Sequence, residues 1–174
     1  MTEIELLDPA EIEPALPALA EILRGCVEAG ASVGFVLPFT VEDALGFWHG
    51  LLPAFQSGER RLLVACRDGR IAGTVQLVLA GMPNGRHRAE IAKLLVDPAQ
   101  RRQGVARALM LGAQAEARRL GRSLLVLDTV TGGVAESLYL KLGFVSVGRV
   151  PSYALSTTGM LETTHILYRL LPTT

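Results

Sequence analysis

The chain has 174 residues, 49% hydrophobic and 20% charged, enough for the core of one compact domain, which we expect to span residues 1–174. No apolar run approaches the roughly 18 residues of a membrane span, and Met1–Glu5 lacks the basic and apolar regions of a secretion signal, so a cytoplasmic protein without membrane contacts is expected. Net charge is zero, yet residues 1–58 hold nine acids and one base while residues 59–174 hold eight acids and sixteen bases; this suits a polyanionic ligand on the second part, and with 5% aromatics nucleic acid is not an expected partner.

Thr2–Leu7 reads as a short strand. Asp8 then serves as an N-cap with Pro9 at the first helical position, opening a helix over residues 9–29 that Pro14 and Pro17 should interrupt. Ala31–Phe35 reads as a loop. Thr40, followed three residues later by Asp43, opens a second helix that runs through Trp48 to about Phe55. Arg61–Arg67 and Arg70–Leu79 flank Asp68-Gly69, a strong hairpin signal. Pro83-Asn84-Gly85 is a turn, and His87–Val96 a further strand. The apolar stripe Val105, Ala108, Leu109, Ala113, Ala117 and Leu120 predicts a helix over Arg102–Leu120, stopped at Gly121. Ser123–Thr129 is a strand, Val134–Leu142 a short helix ended by Gly143, and Phe144–Val150 and Leu161–Leu170 closing strands. This order predicts a mixed α/β (α+β) fold, one mixed central sheet flanked by helices. Cys26 and Cys66 lie in apolar contexts and are expected as two buried thiols. His49, His87 and His165 have no metal spacing with them, so no metal is expected.

The most informative segment is Leu94 to Ala106. A strand ends at Leu94-Leu95-Val96, and an Arg-rich turn containing Gly104 opens a helix. Free amides at a helix start attract anions, and Gly104 lets a phosphate approach the backbone. Arg101, Arg102 and Arg107 add charge that would otherwise oppose the helix dipole. No Gly-Lys-Ser/Thr or Gly-x-Gly-x-x-Gly is present, which excludes a Walker loop and a dinucleotide fingerprint.

Arg101-x-x-Gly104-x-Ala106 resembles the pyrophosphate motif of the GNAT acetyltransferase superfamily, and Ala135-x-x-x-Tyr139-x-x-x-Gly143-Phe144 resembles a second pattern of that family. The resemblance implies the GNAT fold and acetyl-coenzyme A as cosubstrate. Its pyrophosphate would lie on Gln103, Gly104, Val105, Ala106 and Arg107, with Arg101 and Arg102 beside it, and its pantetheine arm along Leu94, Leu95 and Val96. Where the family usually has Asn, this chain has Gly132. Ala31–Phe35, Pro83–Gly85, Arg88–Glu90, Leu127–Thr129, Gly133–Glu136 and Pro151-x-Tyr153 look similar to the tabtoxin-resistance acetyltransferases, which acetylate a β-lactam-containing amino-acid toxin.

Acetyl transfer needs a neutral amine, donors for the carbonyl oxygen, a leaving thiolate and a proton acceptor. An α-amino group of pKa about 8 is only about a tenth neutral at pH 7, so a nearby base is useful. Asp128 ends an apolar strand and shares its face with Leu124 and Val126, a costly place for an idle carboxylate. Glu90 is expected on the neighbouring strand. The resemblance implies both in the acceptor pocket, with Phe35 and Trp48 also near the acceptor. It implies Tyr139 as general acid or hydrogen-bond donor to the thiolate, and a backbone N–H near Leu95 as oxyanion donor. The expected activity is N-acetylation of a small-molecule amine. A protein or peptide N-acetyltransferase and a non-catalytic acyl-CoA-binding module are the alternatives, and a homodimer is the one assembly considered.

Overall fold

The computed structural model describes residues 2–172. Strand β1 (Glu3–Leu6) leads into helices α1 (Pro9–Glu28) and α2 (Val41–Gln56). Strands β2 (Arg60–Arg67), β3 (Arg70–Leu79) and β4 (Arg88–Val96) follow, then helix α3 (Val105–Arg119), strand β5 (Leu124–Val130), helix α4 (Val134–Lys141) and strands β6 (Val145–Leu155) and β7 (Leu161–Leu170). The seven strands form one sheet in the order β1-β2-β3-β4-β5-β7-β6. Among the described residues only β4 and β5 run parallel, and a helical crossover, α3, joins them as parallel pairing requires. This is the mixed α+β architecture that the element order predicts. No helix among the described residues is long and apolar enough to cross a membrane.

Each face of the sheet is covered by its own helices. Ile12, Leu16, Leu19 and Leu23 of α1 and Trp48 and Phe55 of α2 pack on one face. Val105, Leu109, Met110 and Ala113 of α3, with Tyr139 and Leu142 of the α4 region, cover the other. Burial of a Leu-sized side chain stabilises by about 1.5–3 kcal/mol, so these two layers dominate the folding energy.

The local signals act where their chemistry places them. Thr40 Oγ1 accepts from the Asp43 N–H at 3.1 Å, and Asp43 Oδ2 accepts from the Thr40 N–H at 2.8 Å. Asp68 and Gly69 both have positive φ, 48° and 73°, the geometry of a type I′ hairpin turn.

Four expectations are corrected. Helix α1 is continuous through Pro14 and Pro17. Both prolines lie on its exposed face, so the missing N–H bonds are offset by the buried stripe opposite. Helix α3 begins at Val105, because Arg102 (φ 60°) and Gly104 (φ 81°) adopt left-handed conformations that no helix continues through. Strand β6 extends to Leu155. The thiols are free; Cys26 is buried but Cys66 is half-buried.

Strand β4 carries one residue too many. Thr74 pairs with Leu95 but Gln76 pairs with Ala92, so Val75 faces both Lys93 and Leu94 across a β-bulge. Lys93 has φ 49°. The bulge exchanges the faces of the strand. Before it, Ala89 and Ile91 belong to the α3 layer; after it, Leu94 and Val96 do, and Leu95 turns to the α1–α2 layer. Gly73 makes room for this, since a Cβ there would stand 2.6 Å from the Leu95 carbonyl oxygen.

Candidate active site

The bulge bends β4 away from β5. Their parallel pairing runs only from Arg88–Glu90 to Leu124–Val126, although both strands continue. The gap is a cleft of about 280 Å³. Its floor includes Glu90, Lys93 and Leu94 from β4 and Asp128 from β5, and its rim includes Ser32–Gly34 and Tyr153.

Glu90, Asp128 and Tyr139 therefore line one cleft. Asp128 is exposed to it, and its strand partners Leu124 and Val126 are only half-buried, while Leu125 and Leu127 carry the core. The expected apolar face is thus corrected. Asp128 lies on the open face of β5, where solvent relieves the desolvation argued from the sequence. The Thr164 hydroxyl lies 2.9 Å from Asp128 Oδ2 and 3.0 Å from the Thr129 carbonyl oxygen, two acceptors that share its one proton. Glu90 is exposed and makes no ion pair with Arg88 or Lys93 within 4.0 Å.

Tyr139 is 6% exposed and packs on Phe144 with ring centroids 5.8 Å apart. Burial first, and then the negative charge of Asp128, push its phenol well above the ordinary tyrosine value. The proton stays on the oxygen through the physiological range.

At the far end of β4, Asp97 Oδ1 accepts from the Ala99 N–H at 2.9 Å and starts the turn leading to α3. The first helical bond of α3 runs from the Ala108 N–H to the Gly104 carbonyl. The amides of Val105, Ala106 and Arg107 therefore have no carbonyl within the helix. A Cβ on Gly104 would meet no atom within 4 Å, so the space over the helix opening is free. Arg101, Arg102, Gln103 and Arg107 are exposed around it, and the Gln103 side chain accepts from Arg67 Nη1. Free amides, an open glycine and surrounding arginines fit a pyrophosphate.

Not every expected residue reaches the cleft. Trp48 is 0% exposed within the α1–α2 core. It touches no cleft surface in this structure, because its ring fills the centre of that layer. Phe35 is half-buried and lies behind the cleft, 4.6 Å from the Phe39 ring and 5.1 Å from the Phe47 ring by centroid.

Two cleft residues escaped the sequence reading. Lys93 Nζ stands 5.8 Å from the Phe35 ring centroid and 5.5 Å from that of Phe47, a cation–π arrangement. Glu162, on β7, lines the cleft with Oε2 buried and unpartnered. The resemblance implies a bulge near Leu95, and the pairing places it at Lys93 and Leu94, but the resemblance names no lysine in the cleft; Glu162 could have been noticed as an acid in a closing strand.

The described residues hold no group of three or more His, Cys, Asp and Glu arranged to bind a metal.

Comparison with known proteins places these features in context. Residues 19–144 match the sequence pattern of the acetyltransferase (GNAT) family. An uncharacterized N-acetyltransferase in the hisH-hisA intergenic region of Azospirillum brasilense is 36% identical over 112 residues, covering 63% of this chain and 65% of that protein. The chain thus spans just under two thirds of that relative. A GCN5-related N-acetyltransferase from Kribbella flavida superposes with a TM-score of 0.79 at 27% identity, covering 98% of both chains. The fold is shared as well with yncA of Salmonella typhimurium, solved with its cofactor acetyl-CoA, at a TM-score of 0.78 and 21% identity over 99% of this chain and 95% of that one. Since the family pattern runs through both the helix opening at Gly104 and the helix that carries Tyr139, this chain belongs to the acetyltransferase (GNAT) family.

Proposed function

We propose that this protein is an acetyl-CoA-dependent N-acetyltransferase acting on a small-molecule amine. The observation that carries this reading is the meeting of Asp128 and Tyr139 in the cleft where β4 parts from β5. Acetyl-CoA would be held along Leu94–Val96 and over Arg101–Arg107, and supplies the activated acetyl thioester. Asp128, or Glu90 beside it, attracts a cationic amine and accepts its proton, directly or through water. The Thr164 hydroxyl lies against one oxygen of Asp128 and leaves the other for the acceptor. Tyr139, kept protonated by burial, holds a hydrogen bond for the departing sulfur. A backbone N–H at the β4 bulge, near Leu95, is the donor for the carbonyl oxygen.

The finer part of the proposal is an amino-acid-like toxin or antimetabolite as acceptor, such as a tabtoxin-type β-lactam. It is supported by the short segments resembling the tabtoxin-resistance enzymes, which contribute Ser32, Glu90, Asp128, Ala135 and Tyr153 to the cleft lining. A homodimer belongs to the same proposal. It is supported by Val145, Val147, Val150 and Leu155, exposed apolar side chains of β6 at the edge of the sheet, and light scattering on the purified protein tests it.

Steady-state thiol release from acetyl-CoA with a panel of small amines tests the activity. Acceptor-dependent release with saturation in both substrates is expected. Tight acetyl-CoA binding with no release for any amine overturns the reading in favour of a binding module.

A further inference from the structure

Lys93 is an unpaired cation in a cleft furnished with acids. Its ammonium forms no ion pair within 4.0 Å and no side-chain hydrogen bond among the described residues, though Glu90, Asp128 and Glu162 line the same cleft. The rings of Phe35 and Phe47 hold it from behind. Its left-handed backbone, forced by the bulge, fixes where the side chain departs from β4. The ammonium lies close to Gly34, 3.5 Å from where a Cβ on that residue would stand, so a larger residue there would crowd it.

Burial first and the neighbouring charge of Arg60 next work against the charged form of Lys93, with Asp128 and Glu90 opposing them more weakly. Arg60 is itself engaged, donating to Gln76 Oε1 at 2.7 Å. The protein thus leaves the Lys93 charge without a direct counterion. It also leaves the opposite deficit, since Glu162 Oε2 is buried without a donor. A cleft short of one anion and one cation suits a ligand that brings both.

We infer that Lys93 receives an anionic group of the acceptor, a carboxylate or a phosphonate, while the cleft carboxylates take its ammonium group. The acceptor is then an amine that also carries an acid, and Lys93 is the residue that selects for the acid. This rests on the N-acetyltransferase reading and deepens it, because an amino-acid-like acceptor needs a group that takes its acid and the assignment of Lys93 supplies one.

The test compares amino acids with their own carboxamides in thiol release from acetyl-CoA, using wild type, Lys93→Gln, Lys93→Met and Lys93→Arg. A carboxamide has the less basic amine, so more of it is neutral at pH 7; comparing the acid-to-amide ratio between variants cancels that bias. Wild type is expected to favour the acids at least tenfold in kcat/KM. Lys93→Gln and Lys93→Met should each reduce that preference at least tenfold, through the acceptor KM, with the acetyl-CoA KM changed by less than twofold. Lys93→Arg should retain most of it. Wild type that uses amides as well as acids, or neutral variants that keep the wild-type ratio, would overturn the assignment of Lys93 and leave the enzymatic reading standing. No release with any amine overturns both. Should the neutral variants fail to fold, Gly34→Ala, which crowds the ammonium from 3.5 Å, takes their place: a lower acid-to-amide ratio than wild type is expected, and an unchanged ratio would overturn the assignment.

Discussion

His165 Nδ1 lies 2.5 Å from Glu136 Oε1, and this buried pair ties strand β7 to the first turn of α4, three residues ahead of Tyr139. The tie extends both ways. Ser146 Oγ lies 2.7 Å from His165 Nε2, and Glu136 Oε2 accepts from the Gly132 N–H at 2.6 Å. The Gly132 amide first, and His165 next, hold the Glu136 carboxyl below its ordinary value of 4.5. A carboxyl with a lowered folded pKa stabilises the native state above its unfolded pKa, and that contribution is lost as pH falls through the folded value. Glu136→Gln should therefore lower Tm at pH 7, and its Tm should approach that of wild type as the pH is taken below about 4. A Tm difference that stays constant from pH 7 to pH 3 would remove Glu136 from the acid response.

Tyr139→Phe removes a hydroxyl and keeps the ring against Phe144, so the fold should survive. General-acid or hydrogen-bonding help is typically worth about 10²–10⁴-fold. A fall in kcat of at least about tenfold is expected, with acetyl-CoA affinity changed by less than about threefold. The fall should shrink for a thioester whose thiol is much more acidic. Full kcat under conditions where chemistry limits the rate would leave Tyr139 as a core residue only.

Asp128→Asn keeps the shape of the side chain and an oxygen for the Thr164 hydroxyl. It should lower turnover by at least about tenfold, within the usual range for a lost base, and leave the acetyl-CoA dissociation constant near the wild-type value. Calorimetric titration of the variant with acetyl-CoA separates the two effects. Equal losses in both would move Asp128 into the cofactor site.

Gly104→Val meets no protein atom within 4 Å at Cβ, but the backbone must hold φ 81°, which costs about 1–2 kcal/mol for a residue with a side chain. A Tm drop of a few degrees is expected. Over the free amides the new side chain stands in the way of an anion, so acetyl-CoA affinity should fall at least about tenfold. Unchanged affinity by calorimetry would mean the phosphates bind elsewhere.

Pro17→Ala restores a helical N–H on the exposed face of α1. A proline inside a helix costs about 3 kcal/mol, and its stiffening of the unfolded chain returns about 0.4–1 kcal/mol. A net gain of about 2–2.6 kcal/mol is expected, the difference of the two, read as a higher denaturant midpoint. A midpoint at or below that of wild type would show that the helix already accommodates the ring.

Most of the fold was legible because its signals are local. Asp8 and Thr40 with Asp43, the Asp68-Gly69 turn and the helical stripe after Gly104 each act within a few residues, and the elements follow. The lining of the candidate site was legible where a motif reaches into the cleft, as at Tyr139, or where a charge interrupts a strand, as at Asp128 and Glu90. What the sequence hides is set by pairing between distant segments. Trp48 is drawn into the α1–α2 layer by contacts that no neighbour in sequence specifies. Lys93 owes its position to a mismatch between β3 and β4, which exists only once the two strands meet.

Because the faces of β4 exchange at that mismatch, a chain shorter by Lys93 alone would still send Leu94 and Val96 toward α3 and Leu95 toward α1. It could pair with β3 without a break. The core would be intact, and nothing would bend β4 from β5. One codon of extra length thus separates an unbroken pairing of β3 and β4 from one that carries a bulge beside the candidate cleft.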